Sequence, residues 1–576
     1  MLIGNNTAFV SEYENISKTF SQFNEDVNKL AKGLHDLGLR RGDVVGVWSC
    51  NSYSWIQVQY ACAKLGIVLC TVNPVYQSPE LNYALRKGQI KAIFMPGNGS
   101  KQEVVNKYQN VLKQTLSAKE EKESDPLILK DIIFMDGNYS SEDAKGGFNY
   151  MPITNLVANN GNVDQSIVDD VSPDDPAIIM FTSGTTGKPK GAYLSHFTLV
   201  NNALLTGTQF GFSDPITMLI PLPFFHSFAA VLGNISMTAV PIKSVIANLK
   251  YDVKLIVESM IKHSATHIIV TPTMPQTAGI EKYADRRRTS MIKHSATHII
   301  VTPTMVIDIL NFVEKNSLKL PALRSMLIGG APVPVEVAHH IQRVIPSCDD
   351  VRIGYGATEL GPCTTSCHKN DTFEQRMETV GSPLDLVEVK IVDPVSGYIT
   401  KIGEQEGNLG ELLSRGHNVM IGYWRDEIKT KEALDEHKWY KSGDLATMDE
   451  KGFVKIIGRT KEMIIRGGEN IYPREVEELL HTHPEVFDAY VVGVPDERTG
   501  EEVCAWVQLK NKDSKITEEE IRNFCKDNIS YFKVPRYVLF VDGFPMTPTG
   551  KAKKFIMRDE SCEKLGLKEN NKKCQQ

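Results

Sequence analysis

Long apolar runs are missing from this sequence. No stretch reaches the ~18–20 residues that a membrane-crossing helix needs, so no transmembrane segment is expected. An excess of positive charge is missing too. Lys and Arg total 64 against 70 Asp and Glu, a formal net charge of −6. The basic clusters Arg286–Arg288 and Lys572-Lys573 are too short to make a nucleic-acid surface. The ten cysteines are scattered through 576 residues and frame no disulfide scaffold. They read as reduced thiols of an intracellular protein. Cys363, Cys367 and His368 form the only tight group, and without a second ligand pair it reads as a loop, not a zinc site. The opening MLIGNNTAFV has neither a signal-peptide nor an Arg-rich presequence pattern, and the ending KCQQ is no prenylation box.

What is there is the material of a large globular protein. A hydrophobic content of 41% with 23% charged residues is ordinary for one, and the length calls for two or more domains. Ser21 is placed to cap a helix carrying Phe23, Val27, Leu30, Leu34 and Leu37, with Gly38 at its end. A strand at Asp43–Trp48, a helix at Ser54–Lys64 stopped by Gly66, and a strand at Ile67–Val72 follow. This alternation predicts a mostly parallel sheet covered on both faces. Residues 117–125, SAKEEKESD, read as a charged surface loop. The pattern changes near 458–462. Beyond it Pro473 opens a helix bearing Val476, Leu479 and Leu480. Strands at Ala489–Val494, around VCAWVQL and at Val538–Val541, with a helix at Thr517–Asn528, complete a small α+β unit. The expected division is 1–460, 461–565 and a disordered tail, 566–576.

One segment occurs twice. SMIKHSATHIIVTPTM stands at Ser259–Met274 and again, without a change, at Ser290–Met305. Repeat architectures diverge in sequence and need at least about three units, so this reads as a recent segmental duplication or an error in the gene model. Each copy contains one buried-strand pattern, THIIVTP. A fold with room for a single strand is expected to expel the other copy as a loop.

The chemistry begins at Thr182–Lys190, TSGTTGKPK, which follows the apolar segment Ala177–Phe181. Only two residues separate Gly184 from Gly187, and Pro189 follows Lys188, so this is not the G-x-x-x-x-G-K-[ST] loop of kinases and ATPases. It still offers the hydroxyls of Thr182, Ser183, Thr185 and Thr186, backbone N–H groups freed by glycine, and the charges of Lys188 and Lys190. A loop of that kind after a buried strand is suited to phosphate. Further clusters stand far away: IGGAPVP (328–334), GYGATELGP (354–362), YKSGDLA (440–446), GRTKEMIIRGGENIYPREVE (458–477) and PTGKAKK (548–554). Each alone is a turn.

In this order, over roughly Phe9 to Leu567, the clusters resemble the adenylate-forming superfamily of acyl-CoA synthetases, adenylation domains and luciferases. KEMIIRGGENIYPREVEELLHTHPEV and GKAKKFIMRDE are most similar to medium-chain acyl-CoA synthetases. The resemblance implies a large N-terminal α/β domain of two doubly wound subdomains and a small distorted β-barrel, with a small mobile α+β C-terminal domain. It implies a fatty carboxylic acid, ATP and coenzyme A as substrates, with Mg²⁺, and no nucleic-acid partner. The carboxylate attacks the α-phosphate, giving acyl-adenylate and pyrophosphate; coenzyme A then displaces AMP.

By the same resemblance Thr182, Ser183, Gly184, Thr185, Thr186, Gly187, Lys188, Pro189 and Lys190 clasp the outgoing phosphates. Gly330, Ala331 and Tyr355 flank the adenine, Thr358 touches the α-phosphate, and Glu359 holds Mg²⁺, a hard ion suited to a carboxylate. Asp444 and Arg459 take the ribose, and Lys551 sits over the reacting centre. Lys461 is the hinge, Gly467 and Gly468 form the coenzyme A tunnel, and His226 and Phe228 wall the acyl pocket. The implied address is the mitochondrial matrix; without a presequence the expectation is the cytoplasm. Ser442 replaces the usual Thr but keeps the hydroxyl. Two rival readings are a nucleotide-binding pseudoenzyme, favoured by the duplication, and an adenylating enzyme that loads a carrier protein. The chain has no attached carrier domain, which favours free coenzyme A.

Overall fold

The computed structural model describes residues 4–117, 125–137, 147–158, 161–182, 189–212, 215–247, 259, 262–270, 296–315, 317, 319–330, 333, 335–394, 396–400, 402, 409–467, 469–496, 498–546 and 552–567. The charged loop expected at 117–125 and the expected tail lie almost wholly outside these residues.

The N-terminal helix, Phe20–Asp36, buries Phe23, Val27, Leu30 and Leu34. Its cap is Thr19 and not Ser21: the Thr19 side chain accepts from Gln22 N–H while Gln22 returns a bond to the Thr19 backbone. That reciprocal pair satisfies two otherwise unpaired donors, which a hydroxyl two residues later cannot do. The strand Val44–Trp48, the helix Tyr53–Lys64 capped by Ser52, and the strand Val68–Val72 follow as expected. Both strands are buried along their whole length, as a parallel sheet with helices on both faces requires.

Two large sheets result. One runs Gly422–Tyr423, Lys190–Ser195, Pro176–Thr182, Val68–Val72, Val44–Trp48, Ile90–Met95, Asp131–Phe134, Asn149–Pro152. The other runs Ser382–Pro383, Thr365–Ser366, Asp350–Tyr355, Ser325–Gly329, His298–Val301, His267–Val270, Ile216–Leu219, Ile242–Ile246, Thr7–Ser11, Ile16–Thr19. A core of Trp55, Ile56, Leu194, Ile220, Leu222, Phe224 and Leu327, among others, spans the two. A small antiparallel sheet follows, of Val387–Val392, Gly410–Gly416, Tyr440–Met448 and Val454–Arg459. The last unit builds a sheet from Ile464–Arg466, Glu469–Ile471, Val486–Asp496, Gly500–Leu509 and Tyr537–Phe540. Its helices Pro473–His481, Glu518–Asn528 and Lys554–Leu565 complete the expected α+β arrangement.

The repeat overturns an expectation. Neither copy is expelled as a loop; both enter the large sheet as adjacent parallel strands, pairing His267 with His298, Ile268 with Ile299, Ile269 with Ile300 and Val270 with Val301. The reason lies in the strand itself. HIIV is apolar along both faces, and each of its two edges offers the same ladder to any parallel neighbour. Ile216–Leu219 pairs with the first copy and Ser325–Gly329 with the second. Residues 271–297 are ample for a parallel return, which needs about a dozen.

Candidate active site

The strand Pro176–Thr182 leads into the Gly/Thr loop and Lys190–Ser195 leads out of it, antiparallel, with Thr182 opposite Lys190. The Tyr83 hydroxyl donates to Pro189 O at 2.8 Å and pins the exit. Ser183, Gly184, Thr185, Thr186, Gly187 and Lys188 lie outside the described residues, as do Ala331, Gly468 and Lys551.

At the base of the loop stands a buried carboxylate. Thr182 Oγ1 donates to Glu359 Oε1 at 3.2 Å, and the Tyr423 hydroxyl donates to the same oxygen at 3.0 Å. Among the described residues no hydrogen bond reaches Oε2. Glu359 sits in a short 3₁₀ turn, Thr358–Leu360, just past the strand Asp350–Tyr355. The turn is closely packed: a Cβ at Gly356 would lie 2.0 Å from Pro362 O, so only glycine fits. Met420 N–H donates to Glu359 O at 2.9 Å, tying the turn to the segment that carries Tyr423. Lys190 Nζ lies 4.7 Å from the Tyr423 ring centroid, a cation–π distance. Burial, and then the charges of Lys429 and Lys461, lower the Lys190 pKa; Glu359 acts the other way.

A second group adjoins the same strand end. Tyr355 donates to Asp444 Oδ2 at 2.6 Å and Arg459 Nε donates to Asp444 Oδ1 at 3.0 Å. Asp444 and Arg459 are direct partners across two antiparallel strands. Burial, then Asp444, raise the Tyr355 pKa far above the usual phenol range, so it stays a neutral donor. The Ser442 hydroxyl donates to Leu412 O at 2.6 Å and accepts from Asp444 N–H at 3.0 Å. The arrangement is a rigid carboxylate presented beside a phenol and a guanidinium, suited to vicinal hydroxyls.

The other expected residues are placed as follows. Gly330 follows the strand Ser325–Gly329 with φ +86°, a conformation that favours glycine, facing Thr302. His226 and Phe228 stand together, ring centroids 6.3 Å apart, and Phe228 N–H donates to His226 Nδ1 at 3.3 Å. Their segment is held by Asn51, which accepts from Phe224 N–H at 2.7 Å and donates to Leu222 O at 2.8 Å. Lys461 lies in the 3₁₀ turn Thr460–Glu462, and Gly467, at φ +59°, donates its N–H to Thr499 O at 2.8 Å. Cys363 and Cys367 are buried thiols, raised to about 12 and about 11 mainly by burial. No group of three or more possible metal ligands exists among the described residues.

Tyr423, Tyr83 and Asn51 carry no mark in the sequence pattern. Each acts on a residue distant along the chain, and a lone Tyr or Asn is unremarkable until the fold brings it there. Only the IGYW segment, between the second and third strands of the small sheet, hints at Tyr423, and a buried aromatic is its commoner use.

The AMP-binding enzyme family matches residues 4–286 and 276–424, and the AMP-binding enzyme C-terminal domain matches 475–551. The two pieces overlap at 276–286, between the two copies of the repeat. The chain is 38% identical over 572 residues to the mitochondrial medium-chain acyl-CoA ligase ACSF2 of Danio rerio, covering 97% of this chain and 86% of that one. It is 35% identical to the putative acyl-CoA synthetase YngI of Bacillus subtilis, covering 97% and 95%. In fold it is similar to ATP-bound MatB from Rhodopseudomonas palustris, with a TM-score of 0.76 at 24% identity over 98% of this chain and 97% of that one. The chain belongs to the AMP-binding enzyme family.

Proposed function

We propose that this protein is an ATP-dependent acid–thiol ligase that activates a medium-chain fatty acid as its adenylate and passes the acyl group to coenzyme A. The observation that carries the reading is the contact of Thr182 with Glu359. It joins the root of the phosphate loop to a buried carboxylate, beside the Tyr355–Asp444–Arg459 group.

In this reading the loop 182–190 holds the β- and γ-phosphates, with Lys190 beside them. Gly330, Ala331 and Tyr355 bound the adenine, and Asp444 accepts from the ribose hydroxyls with Arg459 close by. Thr358 touches the α-phosphate. Glu359 would hold Mg²⁺: among the described residues both of its donors reach Oε1 and none reaches Oε2, an oxygen suited to a hard cation. When bound, the ion neutralises phosphate charge. The substrate carboxylate forms a bond to the α-phosphorus as the bond to pyrophosphate breaks. Lys551 neutralises the oxygens at that centre. The coenzyme A thiol, losing its proton, then attacks the acyl carbon and AMP leaves.

Residues 1–460 form the adenylating part and 461–565 the mobile part, with 566–576 as a tail. Rotation about Lys461 withdraws Lys551 and brings Gly467 and Gly468 to the thiol path. His226 and Phe228 wall the acyl pocket. Medium chain length and a mitochondrial location are supported by the ACSF2 relatives. Mass spectrometry of reactions containing ATP-Mg²⁺, coenzyme A and acids from acetate to palmitate tests the proposal. The expected product is a thioester peaking at medium chains. Thioester from none of the acids, with folded protein, leaves the pseudoenzyme or a carrier-protein acceptor.

A further inference from the structure

Between the two parts of the chain the polypeptide is anchored on either side of Lys461. On one side Arg459 is bound to Asp444 in the small antiparallel sheet. On the other, Glu462 Oε2 is paired with Lys554 Nζ at 3.2 Å, and the same ammonium pairs with Glu477 Oε1 at 2.8 Å. Glu477 is itself fixed, since Oε1 accepts from Val491 N–H at 2.8 Å. The cluster is poorly exposed, with side chains at 18% for Lys554, 28% for Glu462 and 10% for Glu477. The next buried anchor, Ile464, is part of the C-terminal core.

Lys554 is also the first residue of the helix Lys554–Leu565 and stands three positions after Lys551. The chain just before it is held too. Lys553 N–H donates to Pro545 O at 2.7 Å, and Met546 and Ala552 form a β-bridge. One ammonium therefore links three things: the first residue past Lys461, the helix Pro473–His481, and the start of the helix that begins three residues after Lys551. Lys554 has no part in the chemistry proposed above. A rotation that carries Lys551 to and from the reacting centre works only if the pivot is short and the small domain follows it without slack.

We propose that Lys554 is a positioning residue, clamping Glu462 to the C-terminal unit so that rotation is confined to Thr460 and Lys461 and is delivered in full to the Lys551 segment. The inference rests on the ligase reading. With Lys554→Met the two carboxylates face each other without a cation, Glu462 is released, and the pivot lengthens. The structure around Lys551 is then misplaced by a small distance, an error that costs up to about 10²-fold when the misplaced group acts at a reacting centre.

The test separates half-reactions in the full chain. Lys554→Met is expected to slow acyl-adenylate formation by about tenfold or more while the KM for ATP stays within about twofold, since Asp444 and the phosphate loop are untouched. Thioester formation from supplied acyl-adenylate is expected to fall less. Lys554→Arg is expected to restore most of the rate. Hydrogen exchange gives a readout independent of turnover: amides at 461–464 are expected to exchange faster in Lys554→Met, with those of Val486–Asp496 unchanged. Equal loss in both half-reactions with a lowered melting temperature would mean a purely structural lysine and overturn the proposal. So would wild-type kinetics and exchange. Should Lys554→Met fail to fold, Glu462→Gln keeps the Lys554–Glu477 pair and carries the same expectations. Absence of adenylation in the wild type would count against the ligase reading, while the exchange experiment would still decide the clamp.

Discussion

His267 and His298 stack face to face, ring centroids 4.4 Å apart and planes 5° from parallel, although 31 positions separate them. Each imidazole Nδ1 meets the hydroxyl of its own preceding residue, Thr266 at 2.9 Å and Thr297 at 2.8 Å. The pair is the repeat seen edge on: identical strands in register place every side chain beside its own copy. The upstream part of the first copy is anchored on Glu12 through Ser259 and His263. The second copy leads into the helix Pro303–Lys315 and places Thr302 beside Gly330.

Removing residues 271–301 joins Val270 to Thr302 and regenerates one uninterrupted copy, with the upstream and downstream anchors both kept. The excised chain is expected to fold, with a melting temperature no lower than that of the full chain. Insoluble or molten excised protein, by circular dichroism and gel filtration, would mean that the second strand is required.

The histidine pair makes a prediction about pH. Burial, and then His298, lower the His267 pKa to about 3. Burial also lowers that of His298, with Asp350 opposing and Arg352 and Lys369 adding. The unfolded chain protonates these groups near pH 6.5 and the folded chain only at lower pH, so stability falls as pH drops below that value. For His267 the slope is about 1.4 kcal/mol per pH unit, and His298 adds in the same direction. Urea midpoints at pH 7, 6 and 5 are expected to fall more steeply for the full chain than for the excised one. Parallel curves would contradict this.

Much of this architecture was legible in the sequence, for reasons that can be named. Phe23, Val27, Leu30 and Leu34 recur at helical spacing because one face packs on the core, and the buried strands Val44–Trp48 and Val68–Val72 are apolar throughout because both faces are covered. The cap at Thr19 was present as T-x-x-Q but competed with a nearer serine. The repeat misled because a strand pattern specifies a strand, not how many neighbours a sheet admits. The loop pattern marked Thr182, the family resemblance of the Gly-rich clusters implied Glu359, Asp444 and Arg459, and the fold joins these into two adjacent groups. It could not disclose Tyr423 or Lys554, whose significance comes from residues 64 and 92 positions away, Glu359 and Glu462.

Glu359→Gln is expected to lower adenylation by about 10²–10³-fold, the scale for removing one preorganised charge at a reacting centre. Tyr423→Phe removes one of two donors to the same oxygen and is expected to cost about tenfold. Steady-state pyrophosphate release against Mg²⁺ concentration checks both. A Glu359→Gln enzyme with an unchanged rate would remove this carboxylate from the site.

Lys461→Pro fixes one backbone dihedral at the pivot. Thioester formation is expected to suffer more than adenylation, measured as separate half-reactions. Equal losses would place the pivot elsewhere.

The central claim is that a carboxylate is adenylated at this site, and isotope exchange between pyrophosphate and ATP, without coenzyme A, tests it most directly. The account predicts exchange in the wild type that requires a medium-chain acid, and a loss of about 10²–10³-fold in Lys551→Ala. Exchange that ignores the acid, or survives undiminished in Lys551→Ala, would contradict it.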